Sequence, residues 1–140
     1  MTEPTIYELA GGDAVFRQVV DEFYARVEAD PVLRPMFPDD LNAGKEWQYL
    51  FLIQLFGGPG RYSEVRGHPR LRMRHMPFPI DQTARDHWLA HMLAAIDAVG
   101  ITDPARGAMV EYFERASTFM INAESKSDNL MHWQPGNNEA

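Results

Sequence analysis

The chain has 140 residues, of which 45% are hydrophobic, 24% charged and 11% aromatic, the balance of one globular domain with a single core and no room for a second. It contains no cysteine, which excludes disulfides, thiolate metal sites, iron–sulfur clusters and thiol nucleophiles. The net charge of −7 argues against general nucleic-acid binding, and without a leader-like N-terminus or about 18 consecutive apolar residues the expectation is a cytoplasmic protein with no integral membrane segment.

Apolar residues Phe16, Val19, Val20, Phe23, Tyr24 and Val27 recur at helical spacing and predict a helix over about residues 13–29, entered at Gly11 and Gly12. Asp30 then precedes Pro31 as a capping residue, and Pro35 and Pro38 limit this stretch to one or two tight helical turns. Trp47, Leu50, Phe51 and Leu55 predict a third helical element over about residues 42–56, with Gln48 on the border of its stripe and Gly57-Gly58-Pro59 as its end. Residues 60–79 show no sustained period and several prolines and glycines, which predicts a long ordered loop with at most a short helix near residues 71–75. Asp81 caps a long helix striped by Ala84, Trp88, His91, Met92, Ala95, Ile96 and Val99 and ended by Gly100. Asp103-Pro104 repeats the cap-then-proline signal, and Met109, Val110, Phe113, Ala116 and Met120 carry a last helix to about Asn122. Residues 124–140 are polar, with Leu130, Met131 and Trp133 as the possible anchors, so residues 1–123 are expected to form the domain and the rest a mobile tail. No alternating strand pattern and no repeat occurs, and the fold class is all-α.

Five arginines (Arg61, Arg66, Arg70, Arg72, Arg74) fall in a stretch holding one acid, Glu64. Such a cluster is either an anion site, since planar guanidinium donors take two oxygens at once, or a solvated basic loop paired with the acidic surface. His75 follows directly, with Met76-Pro77-Phe78 after it. An imidazole between a basic rim and an apolar wall can supply an axial nitrogen to a buried iron porphyrin; the other reading is a hydrogen-bonded structural histidine. Tyr24 and Trp88 lie on core-facing stripes and Gln48 beside one. Their hydroxyl, indole and amide donors either bond local carbonyls or converge on a polar diatomic ligand. His87 and His91 have an i,i+4 spacing also used for zinc, but no third ligand has a predictable position, and the neighbouring Trp88 and Met92 point to core packing. His68 reads as a surface or rim residue and His132 lies in the tail. No nucleophile elbow, phosphate loop, dinucleotide fingerprint or HExxH motif occurs.

From about residue 6 to residue 122 the chain resembles the group II, or O-type, truncated haemoglobins of bacteria. Gly57-Gly58-Pro59, Tyr62-Ser63-Glu64 and Arg66-Gly67-His68-Pro69-Arg70-Leu71-Arg72-Met73-Arg74-His75 carry the resemblance most specifically. Tyr7-Glu8-Leu9-Ala10-Gly11-Gly12, Phe23-Tyr24, Asp30-Pro31-Val32-Leu33-Arg34-Pro35 and Arg85-Asp86-His87-Trp88-Leu89 match in order. The resemblance implies a two-over-two helical sandwich around haem b, held non-covalently with His75 as axial ligand of the iron. It places Tyr24, Gln48 and Trp88 on the distal side as hydrogen-bond donors to bound ligand. Phe37, Gly44, Phe51, Tyr62, His68, Arg72, Met76 and Phe78 complete the implied cofactor pocket, with Tyr62, His68 and Arg72 toward the propionates. Phe37 stands where many O-type members carry a ligand-binding Tyr, and Gly44 leaves a gate position without a side chain, so direct entry of small ligands is expected. The implied function is binding of O2, NO or CO at ferrous haem, for oxygen binding and transport or redox detoxification, by a monomer or homodimer. The alternatives are an NO dioxygenase or peroxidase-like enzyme working with a separate reductase or electron donor, and a haem-free helical interaction domain.

Overall fold

A computed structural model describes residues 3–68, 70, 73, 75 and 78–123. Tail residues 124–140, including Trp133, and two expected cofactor contacts, Arg72 and Met76, lie outside the described residues. Every regular element among the described residues is helical, as expected for the all-α class.

Helix α1 (Ile6–Ala10) is short and starts at a capping box in which Thr5 and Glu8 satisfy each other's backbone N–H groups. Helix α2 (Asp13–Glu28) buries the predicted stripe in full: Phe16, Val19, Val20, Phe23, Tyr24 and Val27 are its buried residues. A single 3₁₀ turn, Arg34–Met36, follows, as the prolines require. Helix α3 (Asn42–Leu55) departs from expectation in its buried face, which is Tyr49, Leu52 and Ile53 rather than Trp47, Leu50, Phe51 and Leu55. The expected stripe is half-buried because α3 is apolar on two sides, one against the core and one toward a cavity lined by Trp47 and Phe51.

The segment expected to be a loop contains helix α4 (Arg61–Arg66). Its first turn is held by Gln54 of α3, whose Oε1 accepts from the Ser63 N–H at 2.9 Å and whose Nε2 donates to Ser63 Oγ at 2.7 Å. Gly58 permits the sharp turn before it, since a Cβ there would lie 2.6 Å from Ile53 Cγ2. Helix α5 (Gln82–Val99) has the predicted ends: Asp81 Oδ1 accepts from the Ala84 N–H at 2.8 Å, and Gly100 adopts the left-handed conformation at φ 88°. Helix α6 (Ala105–Phe119) starts one residue later than the cap-then-proline reading places it. Pro104 occupies the N-cap, and Asp103 Oδ1 accepts from the Gly107 N–H at 2.9 Å.

The most extensive pairing joins α2 to α5, with α2 also on α3 and α5 on α6, so two helices lie over two around one core. A chain of ring contacts runs through that core from Tyr7 through Phe16, Phe56, Phe113, Trp88 and Phe23 to Tyr24, with centroids 5.3–5.9 Å apart. The connection entering α5 is fastened to the end of α6 by Asn122. Its Nδ2 donates to the Phe78 carbonyl at 2.9 Å and the His75 carbonyl at 3.3 Å, and its Oδ1 accepts from the Ile80 N–H at 2.8 Å. Replacing Asn122 by Ala leaves these partly buried backbone groups without their partner and is expected to lower unfolding stability by about 1–3 kcal/mol. Urea denaturation of both forms checks this; equal midpoints would contradict the fastening role.

Candidate functional site

Between the two helix pairs lies a cavity of about 370 Å³, within the range of small-molecule and cofactor pockets. Its lining is mostly apolar and aromatic, and α2, the 3₁₀ turn, α3, α4, α5 and α6 all contribute. Of the residues expected at the site, Tyr24, Phe37, Gln48, Phe51, Tyr62, His75, Phe78 and Trp88 line it. The single helix periods that placed these residues on different elements thus meet in one space.

Tyr24 is 5% exposed and its hydroxyl has no hydrogen-bond partner among the described residues. Burial pushes the phenol up to about 12, which keeps it an O–H donor rather than a phenolate. Its ring is fixed edge-on between Phe23 at 5.5 Å and Phe37 at 5.8 Å. Gly44 does not line the cavity; it lies behind Tyr24, and a Cβ there would stand 2.9 Å from the Tyr24 Oη. A side chain at Gly44 would therefore crowd the Tyr24 hydroxyl. Gln48, one turn further along α3, has a buried Oε1 with no hydrogen-bond partner. A buried amide left so is costly, and Trp88, whose indole N–H also lacks a partner among the described residues, lines the same cavity.

Phe37 is carried by a backbone that Arg34 clamps, its guanidinium donating to the carbonyls of Phe37, Pro38 and Asp39 at 3.0–3.3 Å. His75 is half-buried, helical in conformation and on the cavity wall. His68 is not brought to the cavity. It is exposed, and its Nδ1 accepts from the Arg70 N–H at 3.1 Å. The arginine cluster divides its work: Arg61 pairs with Asp13 at 3.2 Å on the surface, whereas Arg66 lies 4.6 Å over the ring of Trp47 and 6.0 Å from that of Tyr62, both cavity residues.

Sequence reasoning missed Arg34 and Asn122, which act through backbone carbonyls and follow no side-chain spacing. It also missed Arg85 and Ser117 on the cavity wall, where Arg85 Nε donates to Ser117 Oγ at 3.1 Å. Asp30 was legible as a cap, and its Oδ1 accepts from the Val32 N–H at 2.8 Å; its pairing with His87 and His91 was not.

Residues 5–122 match the family model described as bacterial-like globin. The chain is 41% identical over 117 residues to the group 2 truncated hemoglobin YjbI of Bacillus subtilis, covering 84% of this chain and 89% of that one. It superposes on the crystal structure of a hemoglobin from Chloroflexus aurantiacus with a TM-score of 0.85 and 63% identity, covering 86% of this chain and 99% of the other. A truncated oxygen-avid haemoglobin from Bacillus subtilis is similar at a TM-score of 0.82 and 41% identity, with 85% and 100% of the two chains covered.

The Tyr24 phenol titrates near 10 when unfolded and near 12 when folded, so the folded chain holds its proton more tightly. This contribution to stability is complete below pH 10 and is lost as pH rises through about 12. The unfolding free energy of the wild-type chain is therefore expected to fall more steeply across that interval than that of Tyr24→Phe. Parallel pH profiles would contradict the assignment.

Proposed function

Because the chain belongs to the bacterial-like globin family, whose members bind haem and small gaseous ligands, we propose that it holds haem b non-covalently in the cavity on His75 and binds O2 on the side of Tyr24, Gln48 and Trp88. The observation that carries this reading is the convergence of those three polar groups, each without a hydrogen-bond partner among the described residues, on one otherwise apolar space.

The residues present fit the cofactor. A flat macrocycle would need apolar surroundings, which Phe51, Tyr62, Leu52 and Phe113 would give, and a nitrogen ligand for its iron, which His75 could give. The chain has no cysteine, so the attachment has no thioether. Arg66, stacked over the cavity residues Trp47 and Tyr62, is a cation near the rim that could take a cofactor carboxylate, in the part first expected of His68. Bound there, the cofactor would supply an iron centre on which a small ligand gains negative charge.

The polar groups of the chain answer that charge. Tyr24 is held protonated by burial and keeps its O–H available, and the Trp88 N–H can donate but cannot accept. Gln48 can turn its amide to present an N–H to the ligand. Phe37 contributes no donor and only restricts Tyr24. The oxygen-avid character named for the Bacillus subtilis relative agrees with this polar lining.

A hydrogen bond to a charged acceptor is worth about 1.5–3 kcal/mol, and about 1.4 kcal/mol is a tenfold change in an equilibrium. Trp88→Phe and Tyr24→Phe are each expected to speed O2 dissociation by about tenfold or more. Stopped-flow displacement of O2 by CO measures it. Rates unchanged in both variants would overturn the distal assignment.

A further inference from the structure

Outside the lining of the cavity, Asp30 meets His87 and His91. The Asp30 side chain is 6% exposed, and its Oδ2 lies 2.8 Å from His87 Nδ1 and 2.6 Å from His91 Nε2. His87 and His91 stand one turn apart on the same face of α5, at 38% and 23% exposure, so the carboxylate forms the floor of the cluster and the imidazoles form its open edge. We propose that these three residues form a site for a borderline divalent metal ion, of which zinc is the representative.

Three independent features support the assignment. First, one ligand atom from each residue can be chosen so that all three lie within 4.8 Å of one another. Second, two imidazole nitrogens and one carboxylate oxygen match zinc and its late transition-metal neighbours, whereas calcium and magnesium require oxygen. Third, the carboxylate is already oriented. Asp30 Oδ1 accepts from the Val32 N–H at 2.8 Å, which leaves Oδ2 facing both rings and supplies the second-shell hydrogen bond that metal-ligating carboxylates use.

Two imidazole N–H groups bonding to Oδ2 occupy the position a cation would take. Substitution of a metal for those two protons moves each imidazole proton to its other ring nitrogen, with no change in net protein charge. Bonds of about 2.0–2.1 Å in tetrahedral geometry require ligand atoms about 3.3 Å apart, so the rings must back away from Oδ2 by about 0.5–0.7 Å. His87 and His91 are at the open edge, where that movement meets solvent rather than core. Three protein ligands leave a fourth position for water or a small anion. The site would join the residue just beyond α2 to α5, the two helices with the most extensive contact in the fold, next to Trp88 in sequence.

The test uses the full chain, haem-loaded, tag-free and stripped with EDTA, titrated calorimetrically with zinc chloride near neutral pH. The expected result is one tight zinc per chain. Since even outer-shell partners of a metal cost roughly 10–100-fold in affinity, His87→Gln combined with His91→Gln is expected to weaken binding by about 100-fold or more. Soret absorbance per chain, equal in both proteins, shows that the haem site is not the one being filled. If the double variant does not fold, the single His87→Gln variant and zinc K-edge absorption of the wild-type complex decide, the latter expected to show a nitrogen and oxygen shell with two imidazoles. A wild-type chain with no saturable zinc binding, equal affinity in the variants, or a zinc shell without imidazole would overturn the proposal and leave the cluster a hydrogen-bonded clamp.

Discussion

The helices of this chain have to satisfy two neighbours at once, a dry core of interlocking side chains and a cavity of about 370 Å³ that their side chains do not fill. The cavity is partly open to solvent, and its mostly apolar lining gains contacts only when something fills it. A space of this size is tolerable only if a ligand or water occupies it. That constraint explains why α3 is apolar on two sides, why Trp88 and Tyr24 are pinned by neighbouring rings, and why so many elements contribute one or two residues to the same wall.

Precision at the site comes from residues that do not enter the cavity. Gly44 lets the Tyr24 hydroxyl approach the α3 backbone, Arg34 fixes the chain that carries Phe37, and Asn122 binds the carbonyls of His75 and Phe78 to the end of α6. Each acts on the backbone or on the space beside it, and each holds a side chain of the wall where two helices alone would leave it free. The ring chain from Tyr7 to Tyr24 does the same through packing. Rigid donors without protein partners can answer a charged ligand without reorganising, which is the condition for strong electrostatic stabilisation.

Much of this was legible in the sequence where one physical rule dominated. The six residues of the α2 stripe are the buried ones, and Asp81 and Gly100 bound α5 because capping chemistry is local. Periodicity alone does not separate the two faces of α3, where a period of apolar residues marks the cavity face as readily as the core face, and Phe51 is placed at the cavity only by the resemblance. Helix α4 was hidden because its first turn is held by Gln54 from another helix, which no local pattern reveals. Helix α1 had a readable signal, the Thr5 and Glu8 pair, in a segment too short for a period. At the site, Tyr24, Gln48, Trp88 and His75 could be named from residue chemistry and resemblance, whereas His68 is exposed and Asp30 joins His87 and His91 only through tertiary packing.

The cavity is proposed to hold a haem whose open side is lined with donors. The visible absorption spectrum of the purified chain, reduced with dithionite and then exposed to air, tests it most directly. The expected result is a strong Soret band that shifts on air exposure to an oxygenated form stable over the measurement. Absence of a Soret band even after added haem, or immediate oxidation to the ferric form on contact with air, would contradict it.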